Sequence, residues 1–295
     1  MIIADYVIIT ACKNEALYIC DLIETIANQT VRPTKWVIID DNSSDQTFEL
    51  AQNAGNKYDF IEVLRANSNR SRSFSSQVFA QQEAYGALKD LVFDFVAFLD
   101  ADIQLSPDYY EKVLSKFSNC QSLAIAGGLL VDKVGDTECH SRSRSVSHHV
   151  PGGIQCFRRR CYEEIGGYAP IPGGGQDTVA EIMCMMRGGQ VQSFLNIVAL
   201  HLRPSERNAS NYFQAGIRWG RMCYNLGYHP LYYGLNTMMR FISRPSISLA
   251  AGHVYSFLAA TLQAKERPVS PEFVKFFRQL QLRKLRAAIS FNQRG

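Results

Sequence analysis

The sequence predicts an α/β fold with a central, largely parallel sheet, and three observations lead there. Short β-branched or apolar runs alternate with amphipathic helical stretches four times over the first hundred residues, at spacings short enough for β–α–β crossovers. Two of those runs, Trp36 to Ile39 and Phe95 to Leu99, pass straight into paired acids: Asp40-Asp41, and Asp100 with Asp102. Apolar runs that lack alternation are expected of strands buried on both faces, whose carboxyl ends form the edge where ligands bind in open α/β sheets.

In order, Tyr6 to Thr10 reads as the first strand, followed by a polar turn, Ala11-Cys12-Lys13-Asn14-Glu15. A helix with Ile19, Leu22, Ile23 and Ile26 on one face comes next. After the second strand, Asn42 or Ser43 is expected to cap a helix over Thr47 to Ala54. Phe60 to Leu64 is a third strand, residues 66–76 are polar and basic, and Gln77 to Lys89 is helical. The stretch Phe95 to Leu105 reads as an extended segment in which Asp100 and Asp102, two residues apart, face one point. Two such carboxylates repel unless a cation lies between them, and magnesium-like cations join carboxylates to substrate phosphates. Ser106-Pro107-Asp108 opens a helix to about Phe117, and Leu123 to Gly127 is a further strand. A polar segment, 131–150, precedes Pro151-Gly152-Gly153, the run Ile154 to Phe157, and a helix ending at Gly166-Gly167. Gly173-Gly174-Gly175 leads into a helix from Thr178 to Arg187, with Asp177 where a capping residue would stand. Val191 to Leu200 is a late strand with His201-Leu202-Arg203 at its end.

Composition narrows the class. The 295 residues suffice for one large domain or a domain with an appendage, and 46% hydrophobic with 20% charged residues is a globular balance. A net charge of +4 with no nucleic-acid motif gives no reason to expect nucleic acid as a partner. The N-terminus lacks the basic-then-apolar pattern of a signal peptide, and eight scattered cysteines suggest reduced thiols in a cytoplasmic protein. Cys156 and Cys161 after His148 and His149 match no common zinc spacing. Residues 206–295 are aromatic and basic. They are expected to form a helical region, either packed on the core or serving as a platform at a membrane interface. Ile247 to Leu262 falls short of the ~20 residues that span a bilayer.

Taken together, these motifs resemble the family 2 glycosyltransferases, whose fold is called GT-A. The blocks that carry the resemblance are Thr10-Ala11-Cys12-Lys13-Asn14-Glu15, Ile38-Ile39-Asp40-Asp41-Asn42-Ser43-Ser44-Asp45 and Leu99-Asp100-Ala101-Asp102. Further blocks are Gly152-Gly153 with Phe157-Arg158-Arg159 and Ile165-Gly166-Gly167-Tyr168, then Gly174-Gly175-Gln176-Asp177 and His201-Leu202-Arg203. Together they span about residues 5–205, implying a catalytic domain over 1–205 and a C-terminal region over 206–295. Gly227-Tyr228-His229-Pro230 and Arg267-Pro268-Val269-Ser270 resemble a bacterial branch linked to surface polysaccharide assembly.

The resemblance implies a metal-dependent, inverting transfer of a sugar from a nucleotide diphosphate, expected to be UDP, to a hydroxyl of a glycan or lipid-linked acceptor. It implies nucleotide contacts at Thr10, Ala11, Glu15 and Asp41, with Asp100 on the ribose or metal and Arg70 and Arg72 beside the phosphates. A divalent metal, Mn or Mg, would be held by Asp102 and His201, and Asp177 would be the general base. Gly152, Gly153, Gln176 and Glu181 would lie near acceptor or donor sugar. Two departures stand out: Gln176-Asp177 where the family often has Glu-Asp, and Asn67-Ser68-Asn69 where it has Asn-x-Gly. The expected location is the cytoplasmic face of the cell membrane, in peripheral contact. Two rival readings are a nucleotidyltransferase and an inactive sugar-nucleotide-binding scaffold. The first usually carries a glycine-rich loop after its first strand, and Ala11 to Glu15 has no glycine.

Overall fold

The first strand, Tyr6–Cys12 (β1), and the second, Lys35–Asp40 (β2), run parallel, with Ile8 opposite Trp36 and Thr10 opposite Ile38. Both are β-branched, and Val7, Ile8, Ile9 and Trp36 through Ile39 are wholly buried, as expected of strands covered on both faces. The covering helices include Ile19–Ala27 (α1), Thr47–Gly55 (α2) and Phe74–Ala87 (α3), with Ile19, Leu22, Ile23 and Ile26 turned inward on α1. Ile61–Arg65 (β3) pairs parallel with β2, and Phe95–Phe98 (β4) pairs parallel with the other side of β1. A computed structural model gives this architecture and describes residues 5–67, 74–134, 138–141, 149–203, 212–243 and 247–292.

The remaining elements are Ile103–Leu105 (β5), Tyr109–Asn119 (α4), Leu123–Val134 (β6) and Glu138–Ser141 (β7). A single 3-10 turn at Gly152–Ile154 leads to Cys156–Arg158 (β8), Arg159–Glu164 (α5), Gln176–Met186 (α6) and Gln190–His201 (β9). The sheet order is β3-β2-β1-β4-β8-β6-β9-β5, with β7 against β6. Strand order reverses between β1 and β4, so the crevice at their carboxyl ends is the place where such a sheet binds ligands.

Four details differ from the sequence reading. The sheet is parallel over its first half but mixed beyond β4, because β8 enters antiparallel to both β4 and β6. β4 stops at Phe98 and the chain turns at Ala101-Asp102 before β5, so the Asp-x-Asp pair does not lie on one extended strand. β6 continues to Val134 where a polar loop was expected. Neither Asn42 nor Ser43 caps α2. Gln46 precedes the helix with no side-chain bond, and Asp45 Oδ1 instead accepts the Thr47 N–H at 3.0 Å.

The chain divides into two units: Met1–Pro170 with Gln176–Ser205, and Ile171–Gly175 with Glu206–Gly295. The second contains Tyr212–Asn225 (α7), Pro230–Ser243 (α8), Ile247–Leu262 (α9) and Pro271–Asn292 (α10). In it, α7 and α9 pack almost backbone to backbone. A Cβ on Gly216 would lie 2.2 Å from the Leu249 carbonyl oxygen, and one on Gly252 would lie 2.2 Å from that of Phe213. Tyr233 stacks on Phe257 with ring centroids 3.8 Å apart. Two tail arginines are structural: Arg267 Nε donates to the Tyr224 carbonyl at 3.1 Å and Arg278 Nε to that of Gly227 at 2.9 Å. Among the described residues no helix is long and apolar enough to cross a membrane.

Gly252→Val should force α7 and α9 apart, since any side chain there meets backbone. Hydrogen exchange is expected to show lost amide protection across α7 and α9 while β1 and β2 keep theirs. Unchanged protection in α9 would contradict the packing described.

Candidate active site

The crevice is built from loops tied to one another. After β1, Asn14 takes a left-handed conformation (φ 57°), which Asn tolerates better than most residues. Its N–H donates to Ser43 Oγ at 2.9 Å, and its side-chain oxygen accepts the Ser44 N–H at 2.8 Å. Glu15 N–H donates to Thr47 Oγ1 at 2.7 Å. The loop after β1 is therefore laced to the loop after β2. Of the paired acids there, Asp40 is the staple: it is buried and accepts from both the Ser43 N–H, at 3.1 Å, and the Ser43 hydroxyl. Asp41 has Lys13 Nζ at 3.7 Å. Thr10 Oγ1 accepts the Trp36 indole N–H at 3.0 Å inside the core, which leaves its backbone as the part that could meet a nucleotide. Ala11 follows it, half-buried.

A second group gathers where β5, β6 and β9 meet. Antiparallel pairing sets Ile103 opposite His201, and parallel pairing sets Asp132 opposite His201. The imidazole lies between two buried carboxylates, with Nε2 3.2 Å from Asp102 Oδ2 and Nδ1 3.1 Å from Asp132 Oδ1. Arg203, two residues on, places Nε 3.2 Å from Asp102 Oδ2 and donates through NH2 to Glu15 Oε2. One guanidinium thus joins the proposed base contact to the proposed metal ligand. Burial works against ionisation of Asp102. The His201 hydrogen bond and charge, with the Arg203 charge, outweigh it and hold the carboxyl below the ordinary aspartate range.

One carboxylate and one imidazole form a donor set that fits a divalent cation such as manganese. Asp102 Oδ2 and His201 Nε2, 3.2 Å apart and paired with each other here, are near enough for one cation to replace that contact and bind both. Among the described residues no group of three or more His, Cys, Asp or Glu converges on one point. Asp102 and His201 could supply two ligands to a cation that takes its others from substrate phosphates and water.

The third group surrounds the 3-10 turn. Asp100 is separate from Asp102: its Oδ1 accepts from Gln77 Nε2 at 3.3 Å, and its N–H donates to the Gly153 carbonyl at 3.0 Å. A Cβ on Gly153 would lie 2.4 Å from Asp100 Oδ2, and one on Gly152 would lie 3.1 Å from Asp177 Cβ. Adjacent glycines of one turn therefore let both carboxylates close on it. Asp177 stands in the first turn of α6, half-buried, and Gln176 Oε1 beside it is buried with no hydrogen-bond partner among the described residues.

Glu181, expected near acceptor or donor sugar, is turned into the interior. It is 2% exposed and accepts from the Val150 N–H at 2.6 Å and Gln155 Nε2 at 3.1 Å, with His149 Nδ1 3.1 Å away. Gln155 carries the brace onward, accepting the Tyr168 hydroxyl at 2.5 Å. Glu181 therefore shapes the segment leading into the glycine turn. Arg70 and Arg72 lie outside the described residues. Asp132 was not singled out from sequence, and Arg203 was named only within the His201-Leu202-Arg203 block, without a role. Asp132 had a readable signal, since Leu129-Leu130-Val131 runs into it as other strands run into Asp40 and Asp100.

Residues 7–176 match the family described as glycosyl transferase family 2. None of the curated proteins matches the sequence. Among solved structures the chain is similar to the mannosyltransferase PcManGT from Pyrobaculum calidifontis in complex with GDP-Man and Mn2+. The identity is 15%, the TM-score 0.57, and 97% of this chain covers 86% of that one. It is similar to S. aureus TarS 1-349 in complex with UDP-GlcNAc, at 12% identity and TM-score 0.58, with 96% of this chain and 92% of that one covered. It is also similar to GalNAc-T7 with UDP, GalNAc and Mn2+, at 13% identity and TM-score 0.57, covering 94% of this chain and 56% of that one. At these identities the likeness is one of fold, and the fold is GT-A.

Burial pushes the Glu181 carboxyl above the usual glutamate range; the His149 hydrogen bond and charge pull the other way without reversing it, and the Asp177 charge adds to the rise. A raised folded value means the folded state prefers the protonated acid. The stabilisation is complete below the ordinary value of ~4.3 and is lost as pH rises through the raised one. Glu181→Gln keeps an oxygen for Val150 and Gln155 and cannot ionise. The variant should therefore gain stability relative to the parent as pH rises from about 4 toward neutrality. Denaturant midpoints across that range check this, and a difference that shrinks with rising pH would contradict it.

Proposed function

The chain belongs to glycosyl transferase family 2, and on that footing we propose that it transfers a sugar from UDP to an acceptor hydroxyl with inversion at the anomeric carbon. The observation that carries this reading is the glycine turn with Asp100 against one residue and Asp177 against the next. In this reading the turn supports a donor-side carboxylate and an acceptor-side carboxylate side by side.

The roles follow from chemistry. Glu15 and Asp41 accept hydrogen bonds from the base N–H and the ribose hydroxyls, which carboxylates do well. Glu15 now holds Arg203, and a base N–H would take over part of that bonding. The released guanidinium would then be free to meet the diphosphate, whose oxygens match its planar fork. Asp102 and His201 would hold a divalent cation, which neutralises charge on the departing diphosphate. Asp132 fixes the imidazole by its Nδ1, so Nε2 would be the atom offered to the cation. Asp177 takes the proton from the acceptor hydroxyl as its oxygen attacks, and the electron pair of the breaking bond leaves with UDP. Glu181 is a poor rival for that role, because its oxygens are already committed to Val150, Gln155 and His149.

The acceptor in this reading is a glycan or a lipid-linked saccharide, used in assembling a cell-surface polysaccharide at the cytoplasmic face of the membrane. Similar folds hold GDP-Man and UDP-GlcNAc in their solved complexes, so both nucleotides belong in the test. Nucleotide release from a panel of UDP- and GDP-sugars with Mn2+ is expected for at least one UDP-sugar. Asp177→Asn, which keeps size but cannot accept the proton, should lower turnover by roughly 10²–10⁴ with donor affinity unchanged. Release unaffected by Asp177→Asn, or pyrophosphate exchange with a nucleoside triphosphate, would overturn the proposal.

A further inference from the structure

Helices α8 and α9 have their polarity reversed relative to a helix that packs in water. On α9 the buried side carries Gly252, His253 and Ser256 along with Phe257 and Ala260, while Ile247, Val254, Tyr255, Leu258 and Leu262 face outward. Leu262 is 87% exposed and Ile247 77%. On α8, Leu231, Leu235, Met238, Met239 and Ile242 recur every three or four residues and are all exposed. A helix of a soluble domain puts such a stripe inside and leaves small polar residues out.

The way these helices hold together has the same character. Gly216 and Gly220 of α7 sit four apart and meet the α9 backbone, where a Cβ would lie 2.2 Å from Leu249 O and 2.1 Å from His253 O respectively. Interhelical hydrogen bonds do the rest. Ser256 Oγ donates to the Ile217 carbonyl at 2.9 Å, Tyr233 OH to that of His253 at 3.0 Å, and Thr237 Oγ1 lies 3.2 Å from His253 Nδ1. Close backbone contact through small residues, polar bonds between helices and large apolar side chains outward is how helices pack where lipid is the solvent.

Two occupants could cover such a face, lipid or a second copy, and charge decides between them. Residues 212–292 carry eleven Lys and Arg against two Glu. Arg218 and Arg221 are exposed on α7, and Lys275, Arg283, Lys284 and Arg286 on α10. A second copy would bring the same sign of charge, whereas an anionic bilayer brings the opposite one. Length settles the mode. The 16 residues of α9 span about 24 Å at 1.5 Å each, short of the ~30 Å hydrocarbon core, so the helices lie in the interface without crossing.

We infer that the outward face of α8 and α9 docks this protein on an anionic lipid bilayer, inserting its apolar stripes at the headgroup–acyl boundary. This deepens the proposed transfer by stating where the acceptor would be held, and rests on that reading only for its purpose. Flotation of the full chain is the test, with vesicles of phosphatidylcholine alone and mixed with phosphatidylglycerol. The protein should float with the mixed vesicles at low salt and be partly released near 1 M salt, where screening shortens to ~3 Å. Met239→Gln with Leu258→Gln, both at exposed positions, should weaken vesicle binding by at least about a hundredfold. Three results overturn the inference: no flotation at low salt, equal flotation of the double variant, or a dimer in solution that the double variant dissociates while no flotation is seen. Nucleotide-sugar hydrolysis in the same preparations keeps the two readings apart. Hydrolysis without flotation removes only the docking face, and flotation without hydrolysis removes only the proposed reaction.

Discussion

The crowding of carboxylates at one sheet edge is the constraint on which the site depends. Because β9 lies between β6 and β5, its last residue, His201, is held between Asp132 and Asp102. Glu15 reaches the same group through Arg203. Three buried acids this close repel one another and need cationic partners. Here one guanidinium supplies charge and one imidazole supplies polar contacts, both from the His201-Leu202-Arg203 segment. A cation arriving with a diphosphate would meet acids whose neutralisation is now shared by side chains that can rearrange. The same three residues would then serve stability without substrate and binding with it.

The glycine turn works on a different principle. Asp100 and Asp177 belong to elements far apart in sequence, yet both reach Gly152-Gly153 because neither glycine has a side chain. Behind the turn, Glu181, Gln155 and Tyr168 form a buried hydrogen-bonded chain that fixes the approach from Val150. Fully paired buried networks of this kind hold one geometry, since any displaced member leaves a partner unsatisfied. Asp100 and Asp177, the carboxylates of the proposed site, thus close on a turn that a buried brace supports from behind.

Much of the parallel half was legible because its signals are local. Runs such as Tyr-Val-Ile-Ile and Trp-Val-Ile-Ile can hardly be anything but doubly covered strands, and their terminal acids marked the ligand edge. What was not legible depended on pairing between distant segments. Antiparallel β8 has only three residues, too few for a period to show. The turn at Ala101-Asp102 separated two acids that local geometry had placed on one side. Glu181, one helical turn beyond Asp177, was expected near a sugar, and only the fold revealed that it points inward. Asp132 ended a strand like its fellows but fell in a segment whose polar composition read as loop. In the second unit the aromatic and basic character was plain from sequence. Its reversed helix polarity was not, because a stripe of leucines and methionines reads as core until its exposure is known.

The central claim is that Asp102 and His201 hold a cation beside a nucleotide diphosphate. The most direct measurement is electron spin echo modulation of Mn2+ bound to the protein together with UDP. The account predicts modulation from one directly coordinated imidazole nitrogen, lost in His201→Gln. Retained Mn2+ with no nitrogen coupling, or a coupling that survives His201→Gln, would contradict it.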